Sequence, residues 1–488
     1  MAEENDKPKS ASEEVARRHE SRGTLRVGRR TLSYRATAAS LPLLEGDRRK
    51  ATVFHTYYRL AQRGGRRPLT FVFNGGPGAA SAYLHVGALG PRRVVCGREG
   101  TLPPSPAKLV DNAESWLSFT DLVFVDPVGT GLSRTLPAAD EKDSKSGKPP
   151  PEDPFYWDVE KDLSALCDFI GQFLSRESRW DAPIYIAGES YGGYRVARLA
   201  RMLQQKAGIG LSGAVLISPV LEWDALFASR FSALAAAMRL PSYAAAARRH
   251  GRCKAVRKGE TLAAFLARAE AFALGEYLSA AAKPGPLDAK FLAELTGWTG
   301  LEAARLRIHG GMPGVDQFVR DLLRDEGKVL GRYDAGVWID DPFPLADTYS
   351  GVDITLDGLN RIYTVAANQH LRDQLGVDSE RRYELLSYDV NRKWQWRDEQ
   401  SGSPVPAGAT EDLAVALSMN PEMRLAVVHG VYDLITPYFD SKYLLQQLRR
   451  GSPLSDPVAL HVYEGGHMFY MWETSRRQFT RDARALYD

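Results

Sequence analysis

The stretch Pro183-Ile184-Tyr185-Ile186-Ala187-Gly188-Glu189-Ser190-Tyr191-Gly192-Gly193 leaves few folds open to this chain. A short apolar run rich in β-formers stops abruptly at Gly-Glu-Ser-Tyr-Gly, and helix-compatible sequence follows over residues 194–201. That order describes a strand, a sharp turn and a helix, the layout of a nucleophile elbow. Side chains at 188 and 192 would clash in so tight a turn, which accounts for glycine at both. The geometry lifts the Ser190 hydroxyl above a sheet edge and points the next helix N-terminus at developing negative charge. A lone Gly-x-Ser-x-Gly is a common accident; the strand before it and the helix after it give it weight.

Other segments supply a sheet for this turn to sit on. Residues 24–45 alternate, with Leu25 and Val27 before Leu32 and Tyr34, which predicts antiparallel strands around a Gly-Arg turn. A third strand is expected over 51–60. Continuous apolar runs at 68–73 and 121–125 predict buried strands, ending in Asn74-Gly75-Gly76-Pro77-Gly78 and in Asp126-Pro127-Val128-Gly129-Thr130-Gly131. Pro, Ser, Gly and charges between 137 and 154 predict a surface loop, and 159–174 has the spacing of an amphipathic helix. Strands are expected again at 211–218, 424–430 and 458–463.

Between them, residues 221–420 turn Ala-rich, Arg-rich and helical in period. The fold class expected is therefore α/β, a mostly parallel central sheet interrupted once by a helical cap. Residues 1–23 are charged and poor in apolar residues, which predicts a disordered tail. The organisation expected is tail 1–23, core 24–220, cap and return 221–420, and core again 421–488. Ligands of such sheets bind beyond the carboxyl ends of the strands, and the glycine-rich turns fall there.

Composition narrows the function classes. A chain of 488 residues, 44% hydrophobic and 25% charged, is ordinary for a globular protein with a large core. Its formal charge of +3 gives no pointer to nucleic acid or to an anionic membrane surface. Cys96, Cys167 and Cys253 are too scattered for a metal knuckle, and three free thiols are expected. No apolar leader and no run near the roughly 20 residues of a membrane span is visible, so the chain as written reads as cytoplasmic, or as periplasmic or secreted if a leader has been removed.

A serine hydroxyl is a weak nucleophile and needs a base that a third group orients. In an elbow fold these partners follow later in the chain, acid before histidine. His467 in Glu464-Gly465-Gly466-His467-Met468 and Asp433 in Gly430-Val431-Tyr432-Asp433 each fall just past a predicted strand. Ser190, Asp433 and His467 are therefore the expected triad. His429 and His461 lie within strands and are expected to be packed. His55, His85, His309 and His370 lack the strand-end glycines, and His19 and His250 sit among charges and are expected at the surface. The glycine run after residue 73 turns backbone N–H groups toward Ser190, and the N–H groups of Gly76 and Tyr191 are the expected oxyanion donors, each worth about 3 kcal/mol of barrier. No Gly-Lys-Ser/Thr follows that run, which disfavours a phosphate cradle.

Asn74-Gly75-Gly76-Pro77-Gly78, Gly188-Glu189-Ser190-Tyr191-Gly192 and Gly465-Gly466-His467-Met468 together resemble the serine carboxypeptidases of the α/β-hydrolase superfamily. Asn112-Ala113-Glu114-Ser115-Trp116 and residues 126–133 are similar to further blocks of that family. The resemblance implies an exopeptidase removing the C-terminal residue of a peptide, with no metal or organic cofactor. An esterase or acyltransferase on the same fold is the alternative. The resemblance implies that Asn74 and Glu189 hydrogen-bond the substrate's terminal carboxylate, that Gly75 belongs to the same binding site and that Met468 borders the pocket; the switch to helical sequence over 221–420 predicts that the cap walls the rest. Two departures stand out. Ala79-Ala80-Ser81 occupies the place of a usual Cys-Ser-Ser, and Ala88 stands where relatives carry a glutamate paired with the one before the serine.

Overall fold

The computed structural model describes residues 18–61, 66–136, 153–346, 349, 351–396, 407–451 and 458–488. Most of the loop expected at 137–154, and residues 1–17 of the expected tail, lie outside the described residues. Nine strands form the path of the main sheet: β1 His19–Val27, β2 Arg30–Glu45, β3 Arg48–Leu60, β4 Leu69–Phe73, β5 Asp121–Val125, β6 Ile184–Glu189, β7 Gly213–Ile217, β8 Arg424–Gly430 and β9 Val458–Tyr463. Their spatial order is β1-β2-β3-β5-β4-β6-β7-β8-β9, with a short tenth strand, Arg134–Thr135, pairing β3. From β5 to β9 every pairing is parallel, whereas β1, β2 and β3 are joined by antiparallel hairpins.

Strand β1 begins inside the segment expected to be tail. Its residues pair in unbroken register with β2, His19 opposite Ala38 and Val27 opposite Arg30. Glu20, Arg22 and Arg26 point to water along it while Leu25 is buried. A half-exposed edge strand can carry that many charges, and they are what made the segment read as tail.

Strand β6 lies between β4 and β7, in the middle of the sheet. Alternation sends Phe71 and Phe73 to one face, against Phe169 and Phe173 of helix α1 (Val159–Arg176) and Leu199 of α2 (Tyr191–Ala207). Val72, with Leu122 and Phe124, goes to the other face, against Trp116, Leu84 and Phe479. Each such side chain, buried fully, contributes about 1.5–3 kcal/mol, so β4, which pairs with the strand leading into Ser190, is anchored from both sides.

The helical insertion divides in two. Residues 233–335 contribute most of a third core around Phe265, Trp298 and Phe318, which meets the segments after β8 and β9 at Tyr432 and Trp472. Helix α3 (Leu356–Gln369) instead joins the core on the Val72 face through Leu359, Ile362 and Tyr363. The return helix Thr410–Met419 belongs with the layer over the sheet: Asp412 is paired with Arg198 and Arg201 of α2. Cys96, Cys167 and Cys253 are free. Among the described residues no helix is long and apolar enough to cross a membrane.

Candidate active site

Ser190 sits at the N-cap of α2 with φ 62° and ψ −124°, a conformation that costs a side-chain-bearing residue about 1–3 kcal/mol. Hydrogen bonds hold it there: its N–H donates to the Ile217 carbonyl at 2.9 Å, and its carbonyl accepts from Gly193 at 2.8 Å. Close packing explains the glycines nearby. A Cβ on Gly192 would stand 2.7 Å from the Phe73 carbonyl oxygen, and one on Gly75 would stand 2.6 Å from the Tyr191 nitrogen. The Gly75-Gly76 turn and the first amide of α2 are thus pressed together beside Ser190. As the first helical residue, Tyr191 has no intrahelical acceptor for its N–H.

Asp433 and His467 meet directly, with Nδ1 of the imidazole 2.7 Å from Oδ2. The carboxylate is fully buried and crowded with donors. Oδ1 accepts from the N–H groups of Ile435 at 2.9 Å and Thr436 at 3.0 Å, and Oδ2 from the Thr436 hydroxyl at 2.7 Å. Burial alone would lower the His467 pKa, but the Asp433 charge and its hydrogen bond outweigh it and raise the imidazole above its ordinary value. With Nδ1 committed, Nε2 is the nitrogen open to a substrate-side partner. The link to Ser190 runs through the segment after β7. The Ser218 hydroxyl donates to the His467 carbonyl at 2.9 Å, and Val220 N–H reaches the Ser190 carbonyl at 3.4 Å.

Glu189, next to the serine, is buried among hydrogen-bond donors. Its Oε2 accepts from Asn74 Nδ2 at 2.5 Å and from the Tyr470 hydroxyl at 3.1 Å, while Oε1 is buried without a partner. Burial is the main cause that pushes this carboxyl up, to about 7. Asn74 is itself held in place: Oδ1 accepts from Leu84 N–H at 3.1 Å, and its carbonyl accepts from Arg195, which forms a buried ion pair with Asp162. Breaking that pair from one side would cost about 3–5 kcal/mol. Among the described residues, no three His, Cys, Asp or Glu side chains converge so as to hold a metal ion.

Beside His467 opens a cavity of about 160 Å³ lined by Leu102, Tyr333, Ile339, Leu359, Met468 and Met471, among others. The Tyr333 ring stands edge-on to the His467 ring at 5.3 Å. Asp334 also lines the cavity, with one carboxyl oxygen taken by Trp472 Nε1 at 2.8 Å and the other by Gly336 N–H at 2.9 Å.

The structure thus gathers Asn74, Gly75, Gly76, Glu189, Ser190, Tyr191, Asp433, His467 and Met468 at one end of the central strands. Tyr333, Thr436, Tyr470, Arg195 and Asp162 complete the surroundings and carried no motif signal; Tyr470 follows His467-Met468-Phe469 as one more aromatic residue. Of the other histidines, His429 is buried with Nε2 on Ser441 Oγ, but His461 is only half-buried. His250, expected at the surface, is half-buried as well, a ring nitrogen 2.8 Å from the Ala335 carbonyl where the insertion folds back. His85 and His370 meet on the Tyr58 hydroxyl, at 2.7 and 2.6 Å.

A family model described as serine carboxypeptidase matches residues 43–257. This segment, which carries the Gly75-Gly76 turn and Ser190, is therefore similar to members of that family. The chain is 29% identical over 162 residues to a serine carboxypeptidase-like protein of Arabidopsis thaliana, covering 33% of this chain and 30% of that one. Over 160 residues it is 31% identical to a pheromone-processing carboxypeptidase of Yarrowia lipolytica, covering 31% and 21%. The chain therefore spans about a third or less of the length of these relatives. Its fold is shared with the crystal structure of a prohormone-processing carboxypeptidase from Saccharomyces cerevisiae, at TM-score 0.55 and 16% identity, covering 93% and 90% of the two chains.

Ala88 lies on the buried turn His85–Leu89, its carbonyl accepting from Asn112 Nδ2 at 2.6 Å. No second carboxyl reaches Glu189 from there. A Cβ on the neighbouring Gly87 would run into the Tyr363 hydroxyl and stand 3.1 Å from the Tyr470 ring, so aromatic side chains crowd this turn.

Proposed function

We propose that this chain is a serine-type carboxypeptidase that releases the C-terminal residue of peptides through an acyl-enzyme. Ser190 attacks the terminal peptide carbonyl, and Nε2 of His467 takes the hydroxyl proton and returns it to the leaving amine. Asp433 holds the imidazole in the tautomer with hydrogen on Nδ1 and stabilises the imidazolium. The N–H groups of Gly76 and Tyr191 receive the oxyanion. Water then enters by the same route to release the acyl group.

One observation carries the peptidase reading over that of a plain esterase. Glu189 places a buried carboxyl, with one unpartnered oxygen, beside the nucleophile. Such a group repels a developing oxyanion when ionised, but when protonated it donates to a substrate carboxylate. Ala88 favours the esterase or acyltransferase alternative, since the glutamate pair that the family resemblance implies is reduced to one.

The pH profile separates these readings. For a blocked dipeptide, kcat/KM should rise as His467 loses its proton and fall as Glu189 loses its own near pH 7. A neutral ester should show the rise alone. Glu189→Gln keeps a donor at every pH, so the falling limb should vanish for the peptide. A falling limb that persists in Glu189→Gln would overturn the assignment of Glu189 as reader of the terminal carboxylate.

The cavity beside His467 takes the side chain of the departing residue. At about 160 Å³ it matches one aliphatic or aromatic group, much as a dry cavity of roughly 150 Å³ admits benzene. Both oxygens of Asp334 are already engaged, which leaves an apolar lining. Dipeptides ending in leucine or phenylalanine should therefore be cleaved at least about tenfold faster, in kcat/KM, than those ending in lysine or glycine. Leu359→Trp fills the space and should reduce kcat/KM more for phenylalanine than for glycine; an equal reduction for both would place the side-chain pocket elsewhere.

A further inference from the structure

Glu189 is buried with one oxygen unpartnered, yet it is not left without neighbours. Three buried tyrosines stand around it: Tyr83 on the turn Ala82–Leu84, Tyr363 on α3, and Tyr470 three residues after His467. Two of them use their hydroxyl proton elsewhere. Tyr83 donates to Asn360 Oδ1 at 2.6 Å and Tyr363 to Met471 Sδ at 2.8 Å. Tyr470 alone of the three donates to Glu189. The remaining groups facing this carboxyl are Asn74 at the end of β4 and the His467–Asp433 pair.

We infer that Tyr470 is a positioning residue: with Asn74 it fixes Glu189 Oε2 as acceptor and leaves Oε1 as the oxygen that carries the proton to an incoming carboxylate. Both donors converge on Oε2, so a proton placed there would displace one of them. Oε1 has no partner, and a proton there displaces nothing and turns a stranded buried acceptor into a donor. Burial holds the Tyr470 phenol well above its ordinary pKa, so it stays a donor throughout the working range. A second carboxyl would share its proton with Glu189, whereas a tyrosine can only give a hydrogen bond to it. Tyr470 therefore favours the ionised form and draws the upper pH limit of peptide binding downward, against the burial that raises it. The inference rests on Glu189 as the reader of the substrate carboxylate.

The test is the pH profile of kcat/KM on a blocked dipeptide for the wild type, Tyr470→Phe and Glu189→Gln. Removing a donor to the ionised carboxylate raises the pKa of Glu189, so the falling limb in Tyr470→Phe should move up by about one pH unit. A residue that merely packed would slow the reaction and leave the limb where it was. Site-specific 3-fluorotyrosine at 470 is a stronger donor of nearly the same shape and should move the limb down; it carries the test alone if Tyr470→Phe does not fold. A limb that vanishes in Glu189→Gln but stays fixed with phenylalanine or fluorotyrosine at 470 overturns the inference. A limb that survives Glu189→Gln overturns the reading of Glu189 instead.

Discussion

Ser190→Ala should lower kcat by about 10⁶ on peptide and ester substrates alike, with KM little changed, because alanine removes the nucleophile and leaves the surrounding cradle in place. Labelling by a fluorophosphonate should disappear with it; a second labelled residue would show that the nucleophile lies elsewhere. The backbone gives this substitution a companion. Serine at φ 62° and ψ −124° holds a conformation that glycine adopts freely. Ser190→Gly should therefore be as inactive as Ser190→Ala and more stable than it by about 1 kcal/mol, after the entropy lost by glycine is subtracted. Denaturant midpoints of the two variants measure that difference. Equal midpoints would mean that the turn stores no strain, and the elbow geometry would then need another source of support.

The elbow was legible in the sequence because its determinants are local. Glycines at 188 and 192, β-formers before and helix formers after act on neighbouring residues. Asp433 and His467 were legible for a different reason: the strands before them are short runs rich in β-formers, and each partner follows its strand within a few residues. Both lie outside the segment that the family model matches, so their meeting at 2.7 Å rests on the fold alone. What stayed hidden depends on long-range packing. Tyr470 gains its place from a ring that reaches back toward Ala88 and Glu189, residues about 280 or more positions earlier. Arg195 looks in the sequence like one more charge on an amphipathic helix, yet it is buried between Asp162 and the Asn74 carbonyl. The start of β1 was misread because an edge strand with one wet face has the composition of a tail. The division of the insertion was hidden too, since helical period says which residues form α3 but not which core receives it.

Asp433→Asn should lower kcat/KM by about 10⁴ while leaving the fold intact, through the direction of one amide. At position 433 the oxygen facing Ile435 and Thr436 accepts two backbone N–H groups, at 2.9 and 3.0 Å. An asparagine keeps those bonds only if its carbonyl oxygen takes that place, which turns its NH₂ toward Nδ1 of His467. An amide that donates to Nδ1 stabilises the tautomer with hydrogen on Nε2, and that nitrogen can no longer accept the Ser190 proton. Rotating the amide would restore the tautomer but would set the NH₂ against two N–H donors, each stranded at a cost of about 1–3 kcal/mol. The wrong tautomer is therefore the favoured one. Loss of the charge also removes the main influence raising the His467 pKa, so the rising limb of whatever activity remains should move to lower pH. Nitrogen-15 spectra of the labelled imidazole should report the change from an Nδ1–H to an Nε2–H tautomer. Unchanged spectra with activity lost would assign Asp433 to holding the loop through Ile435 and Thr436 rather than to orienting His467.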